Sequence, residues 1–175
     1  DDRHQTDGGP LGSTELRNLP RTPLLLVISG PSGVGKNSVA AVLLGREPGL
    51  RRVVTATDRS PRPDEREGVD YYFMSTTEFE GMIARQELVE WAKVYGQYKG
   101  VPKRELERTV AKEHDVLVLV DIQGARAIRT LRPESVLIFI ASASDQELHE
   151  RLVERGADTP VQIESRIQTA REEMS

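Results

Sequence analysis

The chain has 175 residues, of which 37% are hydrophobic and 30% are charged, a balance typical of one globular domain with a polar surface. Its 24 lysines and arginines face 28 aspartates and glutamates, and the formal charge of −4 argues against general binding of polymeric nucleic acid. The sequence has no cysteine, which excludes disulfides, thiolate metal sites and thiol nucleophiles. No apolar run approaches the ~18 residues of a membrane span, so we expect a cytoplasmic protein without membrane contact.

Residues 1–22 are polar and rich in glycine and proline, and they carry neither a helical nor a strand period. We therefore expect a disordered N-terminal tail followed by one folded domain over 23–175. The short apolar run 24–28 predicts a strand that is buried on both faces. The apolar spacing from Val39 to Leu43 then predicts a helix that ends at Gly45.

Residues 51–75 show no clear period and are typical of an irregular, arginine-rich insertion. Ser75 and Glu78 have the spacing of a capping box, which predicts the start of a helix. A strand is predicted over 88–95. Pro102 then marks the first residue of the next helix, a position that proline favours.

The C-terminal half alternates two apolar strands, predicted over 116–120 and 136–141, with amphipathic helices. One helix is expected between these strands, a second between Ser144 and Gly156, and a last one from Pro160 onward. Strands that alternate with helices in this way predict an α/β fold with a mainly parallel sheet.

A glycine-rich turn lies between the first predicted strand and the first predicted helix, where residues 30–36 read G-P-S-G-V-G-K. Glycines let backbone N–H groups converge on an anion, the helix N-terminus adds partial positive charge, and the lysine reaches the β- and γ-phosphates. The strand–turn–helix context separates this pattern from glycine-rich turns that bind no ligand. The predicted nucleotide contacts are Gly30, Pro31, Ser32, Gly33, Val34, Gly35, Lys36, Asn37 and Ser38.

The predicted metal side of this site has an unusual residue. The position after the loop lysine normally carries a serine or threonine hydroxyl that ligates Mg²⁺, and here it is Asn37. An amide oxygen can ligate a hard cation and Ser38 offers a hydroxyl next to it, so we expect binding of the Mg²⁺-nucleotide to persist. Asp121, which follows an apolar strand, is the second predicted metal residue; alternatively, it caps the helix that begins there.

A second cluster combines two arginines, Arg59 and Arg62, with Glu65 and Tyr71. Arginines three residues apart and held by Pro61 can clamp one phosphate through bidentate hydrogen bonds. By itself such a cluster is typical of a solvated basic loop. After a phosphate loop it predicts a second phosphate site.

These segments together resemble the guanylate kinase family of nucleoside monophosphate kinases. Residues 57–73 are similar to the family's GMP-binding segment T-T-R-x-P-R-x-G-E-x-x-G-x-D-Y-x-F, and the likeness continues through L-V-E-W at 88–91, D-I-Q-G at 121–124 and arginines 151, 155 and 166. It covers about residues 24–174. The resemblance implies a P-loop NTPase-type core (23–54 and 102–150), a GMP-binding subdomain (55–101) and a helical lid (about 151–166).

The resemblance also implies an activity and a set of site residues. The activity is phosphorylation of GMP, and of dGMP, by in-line transfer from ATP with Mg²⁺ as cofactor, by a monomer or a homodimer. The residues at the family's catalytic positions are Lys36, Arg62, Arg155 and Arg166. Those at GMP-binding positions are Thr55, Arg59, Arg62, Glu65, Tyr71, Glu90, Lys99 and Asp121.

Glu90 has a chemical reason for its implied role. Guanine presents adjacent N1–H and N2–H donors that one carboxylate can accept in parallel, and adenine offers no such pair. A glutamate on a predicted strand can equally be an ordinary exposed residue.

Several positions differ from the family pattern. Asp58 replaces a threonine and brings an acid beside the phosphate clamp, and Val101 removes a hydroxyl from the base site. The chain also ends before the strand and helix with which the family usually closes, so we expect part of the adenine pocket to be missing.

Two other functions fit the same residues. A non-catalytic guanylate-kinase-like module that binds a protein partner would agree with Asn37, Asp58 and Val101, although such modules usually lose the loop lysine or glycines. A kinase of the same fold that acts on a phosphorylated ribose is the second alternative. The complete acceptor set, including Glu90, favours a nucleotide.

Overall fold

The computed structural model describes residues 23–94, 96–111, 114–156 and 158–174. The predicted N-terminal tail therefore lies outside the described residues. In chain order the elements are β1 (Leu25–Ser29), α1 (Lys36–Arg46), β2 (Leu50–Arg52), β3 (Thr55–Thr57), β4 (Tyr71–Phe73), α2 (Thr76–Ala84), β5 (Leu88–Val94), β6 (Gln97–Pro102), α3 (Lys103–Val110), β7 (Asp115–Leu119), α4 (Ile122–Leu131), β8 (Val136–Phe139), α5 (Asp145–Arg155) and α6 (Pro160–Met174).

The first sheet is parallel, with strand order β2-β7-β1-β8. Its two central strands, β1 and β7, are buried because both faces carry apolar side chains, and Leu25 lies in register with Val116. Helices pack on both faces. The predicted α/β fold with a parallel sheet is confirmed, and it brings the carboxyl ends of β1 and β7 side by side.

The edge strand β8 is shorter than predicted and is exposed. It ends at Phe139 and not at Ala141, and its four residues are 39–46% exposed. An apolar run does not by itself establish that a strand is buried, because burial depends on which elements cover the two faces.

The second sheet has the order β4-β3-β6-β5 and is built mainly from antiparallel pairs. Three short strands, β2, β3 and β4, overlap the segment 51–75, which the sequence predicted to be irregular. Strands of three residues are too short to show a period of two, so the pattern could not reveal them. Phe79 of α2 is fully buried beneath this sheet and stacks on Tyr98, with 5.1 Å between ring centroids.

Most helix boundaries lie where the sequence signals place them, including Gly156 at the end of α5 and Pro160 at the start of α6, and two differ by one residue. The Ser75–Glu78 capping box is present at the start of α2, as predicted. The helix α1 continues through Gly45 to Arg46, because nothing in its surroundings requires a left-handed residue there. Pro102 is the N-cap of α3 and not its first helical residue, since its backbone still belongs to β6.

Helices α5 and α6 pack against each other and against the turn that follows β1. Their buried contacts are Leu148, Leu152, Ile163, Ile167 and Ala170, which meet Val34 of that turn. The two helices are thereby anchored to the glycine-rich turn. None of the helices in the described ranges has the length and apolar character that crossing a bilayer would require.

Replacing Phe79 by alanine is expected to lower the free energy of unfolding by about 3–5 kcal/mol, because it removes the largest buried side chain beneath the second sheet. Urea denaturation measures this change. Val161→Ala, at a position that is 79% exposed, is the control and should stay within about 0.5 kcal/mol of the wild type. An equally small loss for Phe79→Ala would contradict the packing described here.

Candidate active site

Two glycines of the glycine-rich turn are constrained both by neighbouring atoms and by their own backbone conformation. Gly30 has φ +143°, and a Cβ there would lie 2.1 Å from the carbonyl oxygen of Ile140. Gly33 has φ +96°, and its Cβ would lie 2.7 Å from Leu152 Cδ2 of α5. Glycine is therefore required at both positions, and the turn leads directly into α1.

Lys36, the first residue of α1, folds back over this turn. Its ammonium donates to the carbonyl oxygens of Gly30 at 2.5 Å and Pro31 at 2.8 Å. Burial lowers the pKa of Lys36 to about 8, against the opposing charges of Glu173 and Asp121. An incoming phosphate would raise this pKa again, because an anion offsets the cost of desolvation.

Residues from both sheets and from the two C-terminal helices line one cleft. Fifteen of the predicted site residues contribute to this lining: Gly30, Ser32, Gly33, Gly35, Lys36, Asn37, Ser38, Thr55, Arg59, Arg62, Tyr71, Glu90, Lys99, Asp121 and Arg155. The predicted residues Pro31, Val34, Glu65 and Arg166 lie beside or behind it. The phosphate loop and the arginine cluster, which are well separated in sequence, thus share one cavity.

The two clamp arginines are organised by Glu65. Its carboxylate accepts two hydrogen bonds from Arg59, at 2.5 and 2.6 Å, and one from the backbone N–H of Arg62 at 2.9 Å. Arg59 also lies over the ring of Tyr71, 5.0 Å from the centroid. Glu65 therefore lies behind the arginines, and its predicted direct contact with GMP stays a prediction.

Glu90 lines the cleft from β5, where burial and, to a smaller extent, the nearby charge of Asp121 together raise its pKa to about 8. A Cβ on Gly124 would lie 2.9 Å from Glu90 Oε2, so the start of α4 has a glycine where the carboxylate packs against it. Lys99 of β6 faces the same space. Burial lowers its pKa to about 8, and the charges of Lys36 and Arg59 add to this effect.

Asp121 caps α4, because its Oδ1 accepts the backbone N–H of Gly124 at 2.9 Å. The alternative prediction for Asp121, that it caps the helix that begins there, is therefore present in the structure. The same side chain also lines the cleft opposite Lys36, so the capping contact leaves its predicted nucleotide-side role as a prediction.

Asp58 does not point at the phosphate clamp, and the sequence-based expectation of an acid beside that site is wrong. Its Oδ1 accepts the backbone N–H of Tyr98 at 2.7 Å, and its Oδ2 accepts the hydroxyl of Thr76 at 3.0 Å. Asp58 therefore ties β3 to β6 and to α2. Val101 is likewise fully buried, in the core between the sheet and α3, and is used for packing.

Two carboxylates that the sequence did not indicate belong to this region. Glu173, near the end of α6, lines the cleft, and its Oε2 is buried with no hydrogen-bond partner in the described part of the chain. Asp158 joins Arg155 and Arg166 between α5 and α6. Neither lies in a motif, and the only sequence signal for Glu173 is its helical spacing of seven residues from Arg166.

Oxygen donors for a divalent metal are present, although the described residues contain no group of three or more histidine and acidic side chains suited to holding one unaided. Asn37, Asp121 and Glu173 line the same cleft as the phosphate loop. Carboxylates, an amide oxygen and ligand phosphates are a donor set that Mg²⁺ favours. The orphaned oxygen of Glu173 agrees with a cation or a water of its shell at this place.

Comparison with known proteins gives a consistent result. The family model for guanylate kinase matches residues 22–175. The chain is 46% identical over 167 residues to guanylate kinase 2, chloroplastic/mitochondrial, from Oryza sativa subsp. japonica, covering 95% of this chain and 59% of that protein. It is 42% identical over 156 residues to guanylate kinase from Symbiobacterium thermophilum, covering 88% of this chain and 74% of the relative.

A solved structure agrees with these relatives. The crystal structure of guanylate kinase from Anaplasma phagocytophilum superposes with a TM-score of 0.70 at 33% sequence identity, over 87% of this chain and 71% of that one. The described architecture, the matched family model and the sequence identities all support the resemblance drawn from the motifs. The chain belongs to the guanylate kinase family.

Proposed function

We propose that this chain transfers the γ-phosphoryl group of ATP to GMP, giving ADP and GDP, and that dGMP is accepted as well. The observation that carries this proposal is the shared cleft, in which a phosphate loop and an arginine clamp face each other. Two anion sites in one cavity are what a transfer between two phosphates requires, because proximity and alignment supply much of the rate.

The donor nucleotide occupies the phosphate loop. Backbone N–H groups of 32–35 and the start of α1 bind the β-phosphate, and Lys36 moves from the carbonyls of Gly30 and Pro31 to the phosphates. Asn37 and Asp121, assisted by Glu173, would hold Mg²⁺, which would supply positive charge to offset the negative charge of the donor phosphates.

The acceptor nucleotide binds on the side of the cleft that the second sheet forms. Arg59, Arg62 and Tyr71 bind the phosphate of GMP, and Lys99 contributes a further positive charge. Glu65 fixes Arg59 from behind, so the clamp is formed before the substrate arrives. The phosphate oxygen of GMP is already an anionic nucleophile, so it attacks the γ-phosphorus in line without a general base.

Guanine is selected by Glu90 and Thr55 at the other end of the acceptor site. The ionised carboxylate of Glu90 accepts the N1–H and N2–H of the base. Adenine cannot make this pair of bonds, and it would leave a buried carboxylate without donors.

Arg155 and Arg166 stabilise the transferring phosphoryl group from the lid side. Preorganised positive charge at this place contributes several orders of magnitude in rate in phosphoryl transfer.

The protein-binding module is not favoured, because the loop glycines, Lys36 and the clamp are all present and face one cavity. The second alternative, a kinase that acts on a phosphorylated ribose, would not need Glu90, because that substrate has no base.

The acceptor is identified by ADP release from Mg²⁺-ATP, measured with GMP, dGMP, AMP, UMP and ribose 1,5-bisphosphate in turn. Turnover with GMP and dGMP at least about 100-fold above AMP is expected, since only guanine offers the donor pair that Glu90 accepts. Release with ribose 1,5-bisphosphate alone would replace the proposed acceptor, and no release with any of them would support a binding module.

Lys36→Ala and Arg62→Ala are each expected to lower kcat at least about 100-fold with the fold intact, because each removes a charge from a phosphate site. Steady-state kinetics with GMP measures the loss, and circular dichroism checks the fold. Arg126→Ala, which removes an exposed arginine of α4, is the matched control and should keep wild-type turnover. Near-normal turnover of either site variant would remove that residue from the mechanism.

Binding of GMP is expected to release a proton from Glu90 below about pH 8. The raised pKa of about 8 keeps this carboxyl largely protonated in the empty cleft, and guanine binds only the ionised form. The affinity for GMP should therefore rise with pH between 6 and 8, by at most about tenfold per unit.

Calorimetry at pH 6.8 in two buffers of different ionisation enthalpy measures this release. Both lysines of the cleft are still charged there, and their pKa values lie near 8. Glu90→Gln should lose the Glu90 share of the release, whereas Glu107→Gln on the exposed face of α3 should keep it. Equal proton release in the wild type and Glu90→Gln would refute the assignment.

A further inference from the structure

Asp158 lies in the short connection between α5 and α6 and is paired with two arginines at once. Its Oδ2 accepts from Arg155 Nη2, and its Oδ1 accepts from Arg166 Nη2 at 2.9 Å. The side chain of Asp158 is only 5% exposed. One nearly buried carboxylate therefore receives a guanidinium from each of the two helices.

The same chain of contacts reaches the phosphate loop. Arg166 uses its other terminal nitrogen, Nη1, to donate to the hydroxyl of Ser32 at 2.5 Å. Asp158 thus fixes the angle at which Arg166 meets the loop. Arg155, Asp158, Arg166 and Ser32 form a continuous polar path from α5 to the loop.

Asp158 stays ionised at neutral pH. Burial alone would raise its pKa, but the hydrogen bond from Arg155 and the charges of both arginines hold that pKa below its usual value. The two guanidinium groups repel each other, and the carboxylate between them offsets this repulsion. Without this carboxylate, both arginine side chains would lower their free energy by turning toward solvent.

The pairing leaves donors of Arg155 available to a ligand. Arg155 lines the cleft while one of its terminal nitrogens is held by Asp158. The Arg155 side chain is still 26% exposed. A guanidinium that is anchored at one terminal nitrogen while it lines the cleft is preorganised for the oxygens of a phosphate.

We propose that Asp158 is a positioning residue for phosphoryl transfer, which holds Arg155 and Arg166 together against the phosphate loop. The inference rests on the proposed function, because it assumes that these arginines act on the donor phosphates. Asp158 itself does not contact the substrate. Its contribution is to fix where two positive charges lie when ATP enters the cleft.

The chain contains a matched control for this proposal. Asp145 at the start of α5 accepts from Arg171 Nε of α6 at 2.7 Å. This pair joins the same two helices with the same chemistry, but both side chains are about half exposed and neither lines the cleft. Asp145→Asn therefore reports what the loss of an interhelical ion pair costs without disturbing Arg155 or Arg166.

The test compares Asp158→Asn, Asp158→Glu and Asp145→Asn with the wild type. Calorimetry measures the Kd of a nonhydrolysable ATP analogue with Mg²⁺ and, separately, the Kd of GMP; steady-state kinetics measures kcat. For Asp158→Asn we expect the analogue to bind at least about tenfold more weakly and kcat to fall about 100-fold, with the Kd of GMP changed less than about twofold. Asp158→Glu should recover most of kcat, and Asp145→Asn should match the wild type in all three.

A double-variant cycle shows whether Asp158 acts through the arginines. If it does, Asp158→Asn added to Arg155→Ala should lower kcat much less than it does in the wild type, because the group that it positions is already gone. Additive losses would show a general structural effect and overturn the proposal.

Thermal unfolding checks that each variant is folded, and Asp158→Ser, which also removes the charge, replaces Asp158→Asn in the comparison if the latter unfolds. Values of kcat and analogue affinity equal to those of the wild type, in a folded variant that lacks the charge at position 158, would overturn the proposal. A wild type that binds the analogue but does not phosphorylate GMP would instead contradict the proposed function, while the analogue Kd would still decide the role of Asp158.

Discussion

The cleft depends on one constraint, which is that several positively charged side chains must be held close together inside it. Lys36, Arg59, Arg62, Lys99 and Arg155 converge there, and burial lowers the pKa of both lysines to about 8. Such a concentration of cations is costly without anions, because desolvation disfavours each charge and like charges repel. The missing negative charge is what the phosphates of two nucleotides would bring.

Carboxylates behind the cleft hold part of this charge in place while no nucleotide is bound. Glu65 binds the clamp arginines of the second sheet, and Asp158 binds the two arginines of the C-terminal helices. Arg59, Arg62 and Arg155 line the cleft while these carboxylates hold them. The donor side and the acceptor side of the cleft thus use the same arrangement, a carboxylate that binds two arginines, and each side builds it from a different part of the chain.

The departures from the family pattern have structural explanations where the side chains are enclosed. The side chain of Asp58 joins β3 to β6 and α2 and is directed away from the clamp. Val101 packs in the core between the sheet and α3. Both substitutions therefore act on the scaffold of the acceptor side. Asn37 remains at the cleft, where it offers an amide oxygen in place of a hydroxyl.

From local spacing alone the sequence predicted the glycine-rich loop, the arginine cluster, the family and most elements of the parallel sheet. It did not predict the three-residue strands that overlap 51–75, the exposure of β8 or the orientation of Asp58, since none of these has a period or motif. Only the tertiary structure brought Asp158 between two arginines and Glu173 into the cleft. Pairing between distant charged groups depends on how helices pack, and sequence spacing along one helix carries no information about its neighbour.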